Sequence, residues 1–157
     1  MLSPESLAKI DRELTKYPAD RRQSAVMSAL RIAQEEHGWL SKDTIAAVAR
    51  YLGIPDIAAL EVATFYNMYE LEPVGRHKIT VCTNISCMLR GSDEIVAHLE
   101  NRLGIGFNET TPDGKFTLKE GECMGTCGGA PLFHINNNRM CEFLTPEKVD
   151  EILKGLE

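Results

Sequence analysis

No apolar run in this chain is longer than five residues; the longest, "IAAVA", runs from Ile45 to Ala49. A membrane-spanning helix needs roughly 20, so no direct membrane insertion is expected. A basic excess is missing too. The 17 Lys and Arg residues face 23 Asp and Glu, for a formal net charge of -6, whereas a protein that tracks nucleic-acid phosphates needs a basic face. Neither half is a charged tail: residues 1–75 carry 8 basic and 11 acidic side chains, and residues 76–157 carry 9 and 12. The N-terminus shows no basic, then apolar, then small-residue signal pattern. The expected location is therefore a reducing cytoplasm, where cysteines more often bind metal or act in catalysis than form disulfides.

The usual catalytic motifs are absent as well. There is no P-loop lysine motif and no C-x-x-C. "GIGFNE" (Gly104 to Glu109) begins like a dinucleotide fingerprint but lacks its third glycine and follows a helix, so it reads as a loop. His37, His77, His98 and His134 are scattered, and none forms a local ligand set with carboxylates. Each reads as a surface or core residue, and Glu35-Glu36 and Asp93-Glu94 read as helix-surface charge. Nothing resembles a nucleophile with its base, so no catalytic residue is assigned and no complete active site is expected.

What is present is a chain of two textures. Its 157 residues, 43% hydrophobic, suffice for one full core or two small ones. Residues 1–75 read as a small bundle of four helices. Ser3-Pro4 opens the first, with Leu7, Ile10 and Leu14 at helical spacing. The second covers about Arg22 to His37 and the third follows the cap Ser41 and stops at Gly53. The fourth is expected to be capped by Asp56, with Leu60, Ala63 and Phe65 on its stripe. Pro73 and Gly75 mark a linker, after which the pattern changes. Residues 76–157 read as strand ("KITVC"), helix (Ser92 to Leu103), strand ("KFTLKE"), two short strands ("PLFHI" and "RMCEF") around "NNN", and a helix capped by Thr145-Pro146. Pro131 is expected to begin the third strand. The whole is an α+β chain in two parts, a helical bundle followed by a small two-layer α/β domain.

"TFYNMY" (Thr64 to Tyr69) gathers three of the ten aromatics within five residues. It reads either as helix packing or as an apolar patch over Phe65–Tyr69 that meets a partner subunit.

The chemistry lies in the cysteines. Cys82 and Cys87 form C-x4-C, Cys123 and Cys127 form C-x3-C, and 35 residues separate the pairs. All four are expected on loops, which could converge at one rim of a sheet. Zinc and iron–sulfur clusters both accept four thiolates. Structural zinc favours C-x2-C knuckles, while wider spacings suit a larger object such as two irons, each clamped by one pair. A redox disulfide is a third option, weakened by the odd cysteine count and by the missing C-x-x-C. Glycines flanking Cys127 would let backbone N–H groups approach the sulfurs. Cys141 has no local partner and reads as a buried apolar thiol.

"VCTNISCMLRGSDEI", "GECMGTCGGAP" and "LTPEKVDEIL", together with "GIPDIAALEVATFYNMYELEPVGRHKI" upstream, resemble the thioredoxin-like [2Fe–2S] ferredoxin family. Its members include the small peripheral subunit of respiratory complex I and diaphorase subunits of NAD-reducing hydrogenases and formate dehydrogenases. The resemblance implies a helical bundle followed by a thioredoxin-like domain, with one [2Fe–2S] cluster ligated by Cys82, Cys87, Cys123 and Cys127. It also implies electron transfer within an NADH dehydrogenase module, beside a flavoprotein subunit that binds FMN and NADH. Through that respiratory complex the chain would be peripheral at the inner face of the cell membrane.

Overall fold

The computed structural model describes residues 2–156, and the chain divides into two compact units, Met1–Pro73 and Val74–Glu157. The first contains α1 (Pro4–Leu14), a 3-10 turn (Arg22–Ala25), α2 (Val26–His37), α3 (Lys42–Leu52) and α4 (Asp56–Phe65). Ser3 caps α1, its Oγ accepting from the Ser6 N–H at 3.2 Å, and Pro4 occupies the first turn. Glu36, near the end of α2, accepts from the Ser3 N–H at 3.0 Å and from its hydroxyl at 3.1 Å. Ile10, Leu30, Leu40, Val48 and Leu52 fill the core between the helices. Leaving α4, the chain is fastened to α2: Tyr69 Oη donates to the Met27 carbonyl at 2.8 Å, and the Gln34 amide holds Met68 O and Glu70 N at 2.9 and 2.7 Å.

Three details differ from the sequence expectation. The second helix begins as a 3-10 turn, with α structure only from Val26. Asp56 is not a cap: Pro55 holds the cap position without a side-chain hydrogen bond, and Asp56 is the first helical residue. Phe65 does not join the inward stripe; it is 81% exposed. Because α4 is apolar nearly all round, its sequence does not reveal which side faces in.

The second unit is a four-stranded sheet in the order β2-β1-β3-β4. β1 (His77–Cys82) runs parallel to β2 (Phe116–Gly121) and antiparallel to β3 (Phe133–Ile135), which pairs antiparallel with β4 (Arg139–Cys141). Between β1 and β2 lie α5 (Ile85–Met88) and α6 (Ser92–Leu103), and α7 (Pro146–Lys154) closes the chain, capped by Thr145. Alternate residues Ile79 and Val81, with Phe116, Leu118, Phe133 and Ile135, share one core with Ile95 and Leu99 of α6 and Val149 and Leu153 of α7. Asp150 fastens the two helices, 3.1 Å from His98 Nε2 and 3.2 Å from Arg102 Nε. Between β3 and β4, Asn136 and Asn137 adopt φ of 50° and 60°, the paired left-handed geometry of a tight hairpin turn. β3 begins at Phe133, not Pro131; the Ala130–Pro131 bond is cis and lies before the strand. No helix among the described residues is long and apolar enough to cross a membrane.

Candidate metal centre

Topology brings the two cysteine pairs to one edge of the sheet. β1 and β2 are neighbours, parallel and in register, with Cys82 opposite Gly121 at their C-terminal ends. The segments that follow both strands therefore leave the same edge. Cys82 is the last residue of β1, Cys87 lies within α5, Cys123 comes two residues after β2, and Cys127 opens a 3-10 turn, Cys127–Gly129. The expectation of four loop cysteines is corrected for Cys82, Cys87 and Cys127, which lie in a strand, a helix and a 3-10 turn; Cys123 alone lies outside them. α5 has only four residues, too few for a periodic signal, yet Asn84 caps it through a hydrogen bond from the Ile85 N–H to Oδ1 at 2.8 Å.

The pairs differ in burial. Cys82 and Cys87 are 3% and 1% exposed, and with Ala130, Leu132 and the half-buried Met124 they form a small apolar cluster of their own. Cys123 and Cys127 are exposed, and all five cysteines are free. The Cys82 N–H donates to the Leu132 carbonyl at 3.1 Å, the Thr83 N–H to the Gly121 carbonyl at 3.0 Å, and the Cys82 thiol donates to the Glu122 carbonyl at 3.9 Å. Burial pushes the Cys87 thiol up to about 11, helped by a hydrogen bond with Cys82 and then by the charges of Cys82 and Cys127.

The glycines take different parts. Gly125 donates its N–H to Cys123 Sγ at 3.4 Å, the expected kind of contact. Gly128 faces open space, and Gly129 gives way to the Glu142 side chain, not to a sulfur. Its N–H bonds the Thr126 carbonyl at 3.0 Å. Among the described residues, no three His, Cys, Asp or Glu side chains stand together as ligands for a single ion. Cys141 lies apart in the α6–α7 core, 6% exposed. Burial raises its thiol above the ordinary range.

A family model described as thioredoxin-like [2Fe-2S] ferredoxin matches residues 10–157. The chain belongs to this family. It is 43% identical to an NADH-quinone oxidoreductase subunit from Rickettsia bellii over 97% of its own length and 91% of the relative's. It is 36% identical to NADH-quinone oxidoreductase subunit 2 of Thermus thermophilus, over 94% and 81%. Among solved structures, a chain of an NAD+-reducing [NiFe]-hydrogenase in the H2-reduced state matches with a TM-score of 0.69 at 20% identity. That match covers 81% of this chain and 22% of the other. At that identity the likeness concerns the fold alone.

The residues present fit the group that names the family. A two-iron cluster takes four cysteine thiolates, and two spaced pairs leave adjoining parallel strands over an apolar floor of Ala130 and Leu132.

Proposed function

We propose that the chain is the one-electron-transfer subunit of the NADH dehydrogenase module of complex I. Cys82, Cys87, Cys123 and Cys127 would hold one [2Fe–2S] cluster, which supplies one-electron exchange when bound. The observation that carries this reading is the shared exit of both cysteine pairs from the C-terminal edge of β1 and β2. Fold membership and relatives at 36% and 43% identity that are oxidoreductase subunits support it. They favour complex I over the equivalent place in an NAD-reducing hydrogenase, for which only a fold-level likeness speaks.

The chain's own residues set the conditions for that chemistry. Burial of Cys82 and Cys87 keeps water from one side of the site, while exposed Cys123 and Cys127 leave the other side open. The Gly125 N–H stabilises negative charge on the Cys123 sulfur. The chain carries no flavin or nucleotide motif. NADH gives up two electrons as hydride, so a neighbouring flavoprotein subunit binds NADH and FMN and divides the pair. The chain is thus a non-catalytic component, a helical bundle joined to a thioredoxin-like domain, peripheral at the cytoplasmic face of the membrane through its complex.

Electron paramagnetic resonance of the full chain, purified anaerobically and reduced with dithionite, tests this. The expected result is a red-brown protein with about two irons per chain and a spin-one-half signal. A colourless protein with tightly bound zinc and no signal would sink the reading.

A further inference from the structure

One face of α4 exposes large apolar side chains beside carboxylates. On its inner side Ala59 and Ala63 are fully buried. On its outer side Ile57, Glu61 and Phe65 recur every four residues and so form one stripe. Ile57 is 60% exposed, and Tyr66 packs edge-on against Phe65 with ring centroids 5.0 Å apart and planes at 80°. A helix with apolar side chains on both its inner and outer sides belongs between two covering surfaces, and here Ile57 and Phe65 on the outer side stay exposed. The aromatic pair is also held on a fixed backbone, because Gln34 and the Tyr69 hydroxyl fasten the residues that follow it. Preorganised aromatics of this kind make efficient interface anchors, since little freedom is lost when they are covered.

Charge says what should cover them. Residues 51–75 contain no Lys or Arg, while Asp56 and Glu61 are exposed carboxylates on α4 itself. We propose that this face, Ile57, Phe65 and Tyr66 with the carboxylates of Asp56 and Glu61, docks a partner subunit whose matching surface is apolar and carries Lys or Arg opposite those carboxylates. A second copy of the chain is the wrong occupant. Two such faces would set carboxylate against carboxylate, with no cation from residues 51–75 to offset them. The proposal rests on reading the chain as a subunit of an NADH-oxidising complex. It also narrows the expected Phe65–Tyr69 patch, since Tyr69 is 6% exposed and belongs to the core.

The test is titration calorimetry of the full-length chain against the purified NADH- and FMN-binding flavoprotein subunit, at low and high salt. Phe65→Ala should weaken binding about tenfold or more. Glu61→Lys should weaken it further and remove much of the salt dependence. Because both side chains are exposed, melting temperature and circular dichroism should stay at wild-type values. If wild type and Phe65→Ala bind equally well, the surface is wrong while the functional reading stands. If wild type does not bind the flavoprotein at all, both fall. If sedimentation shows a wild-type dimer that Phe65→Ala dissolves, a second copy is the occupant and the proposal is overturned.

Discussion

Cys82 and Gly121 face each other at the ends of two parallel strands, and only hydrogen fits on the Gly121 side. A Cβ there would come within 2.9 Å of Thr80 Cγ2 and 3.5 Å of the Val81 carbonyl, and closer still to the Met124 methyl. The Thr80 and Met124 side chains therefore fill the space beside Gly121, where the strand that launches the second cysteine pair ends.

Gly121→Ala should accordingly destabilise the protein by about 1–3 kcal/mol, the usual range for overpacking a filled site. Met124 can swing aside, but the Thr80 methyl is fixed by β1. Thermal unfolding of the apo chain measures the stability cost, and iron content after reconstitution measures the effect on the site. A melting temperature equal to wild type would mean that β1 and β2 separate without cost.

The two cysteine pairs proposed as ligands were legible because their spacing is a local property, and the capped helices were legible too: Ser3, Ser41 and Thr145 all cap as their sequences indicate. Other features depend on contacts distant in sequence. α5 is four residues with no room for a period. The exposure of Phe65 depends on which side of an apolar helix meets α2 and α3. The purpose of Gly129 is set by Glu142, thirteen positions further on and beyond a hairpin.

Serine replacements separate the proposed ligand cysteines from Cys141. Cys82→Ser, Cys87→Ser and Cys123→Ser should each abolish or distort the paramagnetic signal of the reduced chain. Cys141→Ser should leave the signal unchanged, because that thiol lies in the α6–α7 core. It should instead lower stability by about 1–3 kcal/mol, the cost of burying a hydroxyl in an apolar site. A lost signal in Cys141→Ser with iron still bound would contradict this division.

Tyr69 makes alkaline stability a probe of the first unit. Burial, the largest cause, raises its hydroxyl from an ordinary 10.0 to about 12. The folded protein then holds this proton more tightly than the unfolded chain. The contribution is intact below pH 10 and is lost as pH rises from about 10 to 12. Tyr69→Phe should flatten that decline. At neutral pH it should cost about 1 kcal/mol, because the Met27 carbonyl loses its 2.8 Å donor. Urea unfolding at a series of pH values compares the two proteins, and identical alkaline slopes would rule Tyr69 out.

Gly129 and Glu142 form the last coupled pair. A Cβ on Gly129 would lie 2.7 Å from Glu142 Cδ and 2.8 Å from its Cγ, so the carboxylate arm occupies the space that a side chain would need. Backbone bonds fix both sides of this contact: the Phe143 N–H donates to the Gly129 carbonyl at 2.7 Å, and the Leu144 N–H to the Pro131 carbonyl at 3.0 Å. Gly129→Ala should therefore cost about 1 kcal/mol or more, since only the Glu142 side chain can yield. Glu142→Ala in the same chain should recover most of that loss. The double-mutant cycle isolates the coupling from the separate effects of each substitution. If Gly129→Ala costs the same with and without the Glu142 side chain, the strain lies in the backbone of the Cys127 turn and the carboxylate is not its source.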